Sequence, residues 1–299
     1  MTESVPVPRR TLLRPAAHFT AGLAVTPASD GGGHGPGVDS EELIRRLDGI
    51  ALAQPAAVSV LTLVDNANTT TPQLAAAIEC DPTFTAQVMR LANSAYYGLS
   101  GRVGNTSFAI TVVGFAAVRS LAAMNAAGLT GSNTVPDGFW AHAAAAAAGA
   151  SAVASALGVV AADCFAAGLL HDVGIAFLHS LYPDRYPALL AEHGAHSDTL
   201  CDAERHEFGM SHAEVAAYVL ETWRFPPQFV AAVRHHHGDV NDPFSRAVIL
   251  GEALALSTVG ANPHAETLLT DAGIVGAERD ELIAYTAERA EEVLSSLPR

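Results

Sequence analysis

Apolar residues recur at three- and four-residue spacing along most of this chain: Leu43, Ile44 and Leu47; Val58, Leu61 and Val64; Leu74 and Ile78; Phe84, Val88, Met89 and Leu91. Each set makes one apolar helix face. Start signals precede the stripes. Ser40 or Asp39 can cap the first helix, Pro55 opens the second, and Thr71-Pro72 and Asp81-Pro82 are cap-plus-first-turn pairs. After a loop with Gly98, Gly101 and Gly104 comes an apolar helix through Phe108, Ile110, Val113, Phe115 and Val118, in a helical subdomain ending near Leu129. Gly131–Pro136 is a polar, turn-like break.

Beyond the break, Trp140-Ala141-His142 leads an alanine-rich helix, and Asp163 can cap a helix that runs into His171-Asp172. Ser211 and Glu214 have capping-box spacing, placing His212 in a first turn. Phe225-Pro226-Pro227 starts a helix that stops at His235-His236-His237-Gly238, and Asp242-Pro243 opens one with Glu252 near its middle. A charged amphipathic helix over roughly 277–297 closes the chain. Strand-like alternation is almost absent and no repeat of solenoid period occurs. The expected fold is all-α, a multi-helix bundle. Residues 1–38, rich in Gly and Pro, read as a flexible tail; 39–130 form the N-terminal helical subdomain, 135–258 the second, and 259–299 a C-terminal extension.

Composition narrows the function classes. The net charge is −15 and all 16 basic residues are arginines, dispersed along the chain. That argues against nucleic-acid binding, which needs a clustered basic face. The absence of lysine excludes a Walker phosphate loop and any lysine nucleophile. Cys80, Cys164 and Cys201 lie far apart and read as reduced thiols. No apolar run is read as long enough for a membrane span of ~18–20 residues, and the segment 16–25 is a poor signal peptide. Cytoplasmic, without membrane contact, is the expectation.

Gly168-Leu169-Leu170-His171-Asp172-Val173-Gly174-Ile175 carries the strongest chemical signal. A neutral imidazole and an anionic carboxylate side by side can hold one divalent ion. Seven residues could share such a site: His142, His171, Asp172, His212, His236, His237 and Glu252. Each sits on or beside an expected helix, as in bundle metal sites. Singly they have plain explanations: His142 as a core histidine, His236 and His237 as helix-end imidazoles facing the dipole, Glu252 as a surface glutamate. Mixed His and carboxylate ligation suits Fe, Mn or Zn. The run Asn93–Gly98 reads either as subdomain packing by Tyr96 and Tyr97, with Asn93 and Ser94 bonding a turn, or as a surface presenting Tyr and Arg102. Arg119 reads as a buried or interface donor.

Residues from about 39 to 257 resemble the HDOD domain, a bacterial signalling relative of the HD-domain phosphohydrolases. The resemblance rests on Glu79-Cys80-Asp81-Pro82, Leu91 to Gly98, Ile110 to Phe115, Phe139 to His142, Ala167 to Gly174, Phe208 to Val215 and Ala232 to His237. It implies an HD-like bundle in which positions matching His142, His171, Asp172 and Glu252 hold a first metal, while His212, His236 and His237 add ligands for further ions. Two positions depart from the catalytic relatives. Glu252 replaces their aspartate, and Ile175 stands where they carry a lysine that stabilises phosphate charge. The Gly-Tyr-Pro segment of cyclic-dinucleotide hydrolases is missing after His237. The resemblance therefore implies a signalling protein acting through protein partners or as a homo-oligomer, without catalytic or cofactor-binding residues beyond a divalent metal. The alternative is a metal-dependent phosphohydrolase of nucleotides or cyclic dinucleotides.

Overall fold

A computed structural model describes residues 40–50, 55–129, 134–238 and 240–297. The expected tail, the first half of the break at 131–136 and the Asp39 cap lie outside them. Among the described residues the fold is all-α. Helices α1 (Ser40–Ile50), α2 (Pro55–Val64), α3 (Thr71–Glu79), α4 (Pro82–Asn93) and α5 (Thr106–Ala126) form the first subdomain. The Asp81 carboxylate accepts from the backbone N–H of Thr83 and Phe84, so α4 starts where the Asp-Pro pair implies. Thr70, not Thr71, caps α3, which shifts that start by one residue. Helix α5 is broken at Gly114 (φ 84°, ψ 159°), a conformation open to glycine because it lacks Cβ.

The second subdomain comprises α6 (Phe139–Leu157), α7 (Ala161–Leu170), α8 (Val173–Leu181), α9 (Tyr186–His193), α10 (Asp198–Phe208), α11 (His212–Thr222), α12 (Pro227–Arg234) and α13 (Pro243–Val259). Val160 occupies the N-cap of α7 and Asp163 lies in its first turn, so Asp163 is not the cap. Two further helices follow, α14 (Pro263–Asp271) and α15 (Gly276–Leu294), and α15 packs along α6. The C-terminal extension thus covers the alanine helix.

Helix α6 is the hub, contacting α7, α13 and α15. It crosses α13 at near backbone contact. A Cβ added to Gly251 would lie 2.5 Å from the backbone nitrogen of Ala150, and one added to Gly149 would lie 2.9 Å from the Gly251 carbonyl oxygen. One continuous apolar core joins both subdomains, from Leu43 to Leu297. Polar seams reinforce it. Arg119 on α5 is buried, pairs with Asp65, and donates to the carbonyls of Trp223 and Arg224 between α11 and α12. Tyr96 packs on Phe165 and donates to Ser151 on α6, while Asn93 bonds Val103 through both backbone groups. The packing reading of Asn93–Gly98 therefore holds, and Arg102 is exposed.

The expectation that no apolar run reaches spanning length is corrected. Thr106–Ala126, Phe139–Leu157 and Ala161–Leu181 are each long and apolar enough to cross a membrane. In this fold their apolar surface is largely buried, 83% for the third. The interrupting glycines, His171 and Asp172 are too few to lower the average of a segment otherwise built from Ala, Val, Leu, Ile and Phe.

Candidate metal centre

Helix ends and corners position six of the seven side chains, and the middle of a helix positions Glu252. His142 lies in the first turn of α6, and Glu252 is mid-way along α13, one residue past the glycine crossing. His171 and Asp172 form the corner between α7 and α8. That corner is tight: a Cβ on Gly174 would lie 1.9 Å from the His212 carbonyl oxygen, so glycine lets α8 rest against the start of α11. Ser211 caps α11 through a reciprocal capping box with Glu214, which sets His212 as its first residue. His236 and His237 follow α12 in the turn closed at Gly238, with His235 facing outward.

Asp172 sits at the centre with its side chain 2% exposed. Its Oδ2 lies 3.4 Å from His142 Nε2 and 3.3 Å from His171 Nε2; its Oδ1 lies 3.3 Å from His236 Nε2 and 3.6 Å from His212 Nε2. Each oxygen thus faces its own imidazole group. His142 Nε2 and His171 Nε2 are 3.2 Å apart, and His212 Nε2 and His237 Nε2 are 2.9 Å apart. Glu252 brings a carboxylate oxygen within 4.8 Å of ligand atoms of both His171 and His236. All seven expected residues therefore converge.

The outer nitrogens are fixed. His171 Nδ1 donates to the Gly168 carbonyl at 2.7 Å, His236 Nδ1 to the Val233 carbonyl at 2.6 Å, and His212 Nδ1 to Glu204 at 2.7 Å. A carbonyl or carboxylate oxygen only accepts, so each Nδ1 carries its proton and each Nε2 turns its lone pair inward when the ring is neutral. Metal-ligating histidines are oriented this way by their outer partners.

Charge follows the same plan. Burial opposes a charge on His171, but the Asp172 carboxylate outweighs it and its pKa is pushed up to about 9. Burial, with His196 beside it, drives His142 well below the imidazole range. His212 goes up because Glu204 outweighs its burial, and His237 goes down through burial and the neighbouring His236 and His212. Asp172 is held well below the carboxylate range, His171 outweighing burial. Within each close imidazole pair the two rings are thus pushed in opposite directions, His171 and His212 up, His142 and His237 down.

The donor set fits a divalent cation. Two ligands sharing an ion at about 2.1 Å lie about 3.0 to 3.4 Å apart in octahedral or tetrahedral geometry, the range that holds the spacings of Asp172 to His142, His171 and His236 and of His142 to His171. Both Asp172 oxygens and His236 Nε2 are buried without a hydrogen-bond partner, an arrangement costly unless a cation satisfies them.

Two residues escaped the sequence reading. His196, between α9 and α10, stacks on His142 with ring centroids 3.8 Å apart, and its Nδ1 lies 3.3 Å from Asp172 Oδ2. It sits in a short polar turn with no periodic signal. Glu204 is fully buried and also accepts from the His212 backbone N–H at 2.7 Å and from the Tyr186 hydroxyl. Its signal was present: it stands on the stripe Leu200, Glu204, Phe208, where an apolar residue belongs.

A cavity of about 480 Å³ lies over the cluster. His142 and His196 face it, Ile175, Ala145, Ala255 and Leu294 wall it, and Asp137 and Glu291 supply its carboxylates; among the described residues no arginine lines it. Ile175, in the first turn of α8, is 2% exposed.

Comparison with known proteins identifies the fold and the family. The fold is similar to a protein named a candidate signal transduction protein from Marinobacter aquaeolei VT8 (TM-score 0.65, 22% identity, 86% of this chain and 64% of that one). It is similar also to a candidate phosphohydrolase from Shewanella amazonensis SB2B (TM-score 0.64, 20% identity, 84% and 97%). An HDOD domain protein from Geobacter sulfurreducens matches at TM-score 0.60 and 19% identity over 86% and 95%. An uncharacterized protein of Treponema pallidum (strain Nichols) is 26% identical over 199 residues, covering 64% of this chain. The match spans only 38% of that relative's length. The HDOD domain model matches residues 51–238, which takes in every candidate ligand except Glu252. The chain belongs to the HDOD domain family.

Proposed function

We propose that this chain is a metal-holding signalling module of the cytoplasm that acts through contacts with partner proteins or a second copy of itself, without phosphoester hydrolysis. One observation carries the reading: a full set of inward-facing ligands lies beneath a cavity that no arginine lines among the described residues. Phosphoryl chemistry needs positive groups aimed at the charge that develops on the phosphate. Here Ile175 fills the position of the expected lysine, and two carboxylates at the cavity repel an anion. A bound divalent ion would supply Lewis acidity and structural cross-linking. His142, His171, Asp172 and Glu252 would hold one ion, with His212, His236 and His237 on the opposite oxygen of Asp172. The three cysteines are unpaired, consistent with a reducing compartment.

A second reading, metal-dependent phosphohydrolase, is favoured by Asp172 presenting one oxygen to each imidazole group, so that the residues on both sides would hold ions able to polarise a phosphate. The deciding experiment measures metal content and turnover on the same preparation, purified without a histidine tag. Stoichiometric Fe, Mn or Zn with no hydrolysis of bis(p-nitrophenyl) phosphate or a cyclic dinucleotide is expected. Turnover that disappears in His171→Ala and Asp172→Ala would overturn the non-catalytic reading. Absence of metal would overturn the metal-holding one.

A further inference from the structure

We propose that His196 is an additional metal ligand, delivered by the loop between α9 and α10, and that it takes the coordination position facing the cavity. The inference rests on the metal-holding reading above and extends it to a residue outside the seven. The ring lies flat on His142, at 22° between planes, with its Nδ1 turned toward Asp172 Oδ2. That Nδ1 is buried and has no hydrogen-bond partner, although the side chain as a whole is 27% exposed. A ring present only for packing would leave its polar edge in water. Here the polar edge points in, and the ring forms part of the cavity wall. His142, His196 and Glu252 also offer ligand atoms within 4.8 Å of one another, enough for three protein ligands on one ion.

The loop is built to hold that position. Gly194 ends α9 at φ 79°, and the Ser197 hydroxyl reaches back to the Gly194 carbonyl at 3.4 Å while meeting Thr199 Oγ1 at 3.1 Å. His196 is thus clasped between two helix ends. The chemical consequence follows from how protein metal sites divide. Catalytic sites keep a position for water or substrate, whereas structural sites fill every position with side chains. An imidazole between the ion and the cavity closes the position at which an anion or a water nucleophile would bind.

The test uses the full chain, stripped of metal and reloaded with Co²⁺, whose visible spectrum reports ligand number. His196→Ala and His196→Gly are compared with wild type for cobalt stoichiometry, absorption and binding of inorganic phosphate. Expected are equal stoichiometry, a visible band changed in position and intensity in both variants, and recovery of the wild-type band when free imidazole is added to His196→Gly. Phosphate should perturb the variant spectra and leave wild type unchanged. Identical spectra for wild type and variants, with normal melting, would overturn the proposal while leaving the metal-holding reading standing. Failure of the wild-type chain to take up cobalt would overturn both. Phosphodiester turnover by wild type would overturn both the non-catalytic reading and the closure of the cavity-facing position, while the spectrum alone decides whether His196 is a ligand.

Discussion

Gly174→Ala is the sharpest test of how the fold makes the centre. Gly174 lies inside α8, so alanine there gains about 1 kcal/mol of helix propensity. On a free helix the substitution would stabilise. In this fold the new Cβ meets three backbone atoms of His212: the carbonyl oxygen at 1.9 Å, the carbonyl carbon at 2.7 Å and Cα at 2.9 Å. The first contact is about 1.5 Å short of ordinary van der Waals separation. No rotamer change relieves it, because all three neighbours are main chain. Overpacking of this kind costs about 1–3 kcal/mol, and a backbone clash belongs at the upper end, so the propensity gain is outweighed. At 2–4 °C per kcal/mol, a net loss of about 2 kcal/mol lowers the melting temperature by about 4–8 °C. His212 must also shift relative to Asp172, and displacement of a ligand shell weakens metal affinity about 10- to 100-fold. Thermal melts of stripped and metal-loaded protein, with chelator competition, read both effects. Gly158→Ala, where φ is +73° and nothing lies within 4 Å of the new Cβ, is the control for backbone strain without a clash. A Gly174→Ala protein that melts at or above wild type and binds metal equally well would refute a steric role for this glycine.

Glu204→Gln keeps the shape but removes the charge that fixes His212, and should weaken metal binding about 10- to 100-fold by chelator competition. In the metal-free protein His171 holds a proton up to pH about 9, and an incoming ion must displace it. Apparent affinity should therefore rise about tenfold per pH unit from neutrality and level off near 9; a flat titration would contradict the assignment. The raised pKa also favours the metal-free fold below the ordinary imidazole range, a contribution lost as pH climbs toward 9. Arg119→Met, which leaves Asp65 and two carbonyls between the subdomains without their donor, should cost about 2–3 kcal/mol in urea unfolding.

What the sequence made legible depended on local chemistry. Asp81-Pro82, the Ser211 capping box and the Gly238 stop are decided by a few neighbouring atoms, and the structure places each as expected. The seven ligands were legible because their order along the chain is unusual, although only the fold brings them together. Helices α8, α9 and α10 were not anticipated. They are short, α9 has only Tyr186 fully buried, and α10 interrupts its stripe with Glu204. His196 was hidden for a related reason: its role comes from a stack on His142, 54 positions earlier, and no local pattern encodes that contact. Asp163 misled because it is a good cap one turn inside a helix that begins without one. The helices of spanning length were misjudged because individual polar interruptions were weighed in place of the average over the segment.

The glycine crossing of α6 and α13 has a consequence for how this centre tolerates change. Where side chains separate two helices, rotamer shifts absorb a gained or lost methylene, and neighbouring substitutions spread the strain. At Gly149 and Gly251 main chain meets main chain, so the separation is set by atomic radii. His142 lies seven residues before one glycine and Glu252 directly follows the other. The spacing between those two ligands is therefore gauged by a hard stop. Drift in the surrounding alanines can proceed while that gauge stays fixed, but a side chain at either glycine would move both ligands at once.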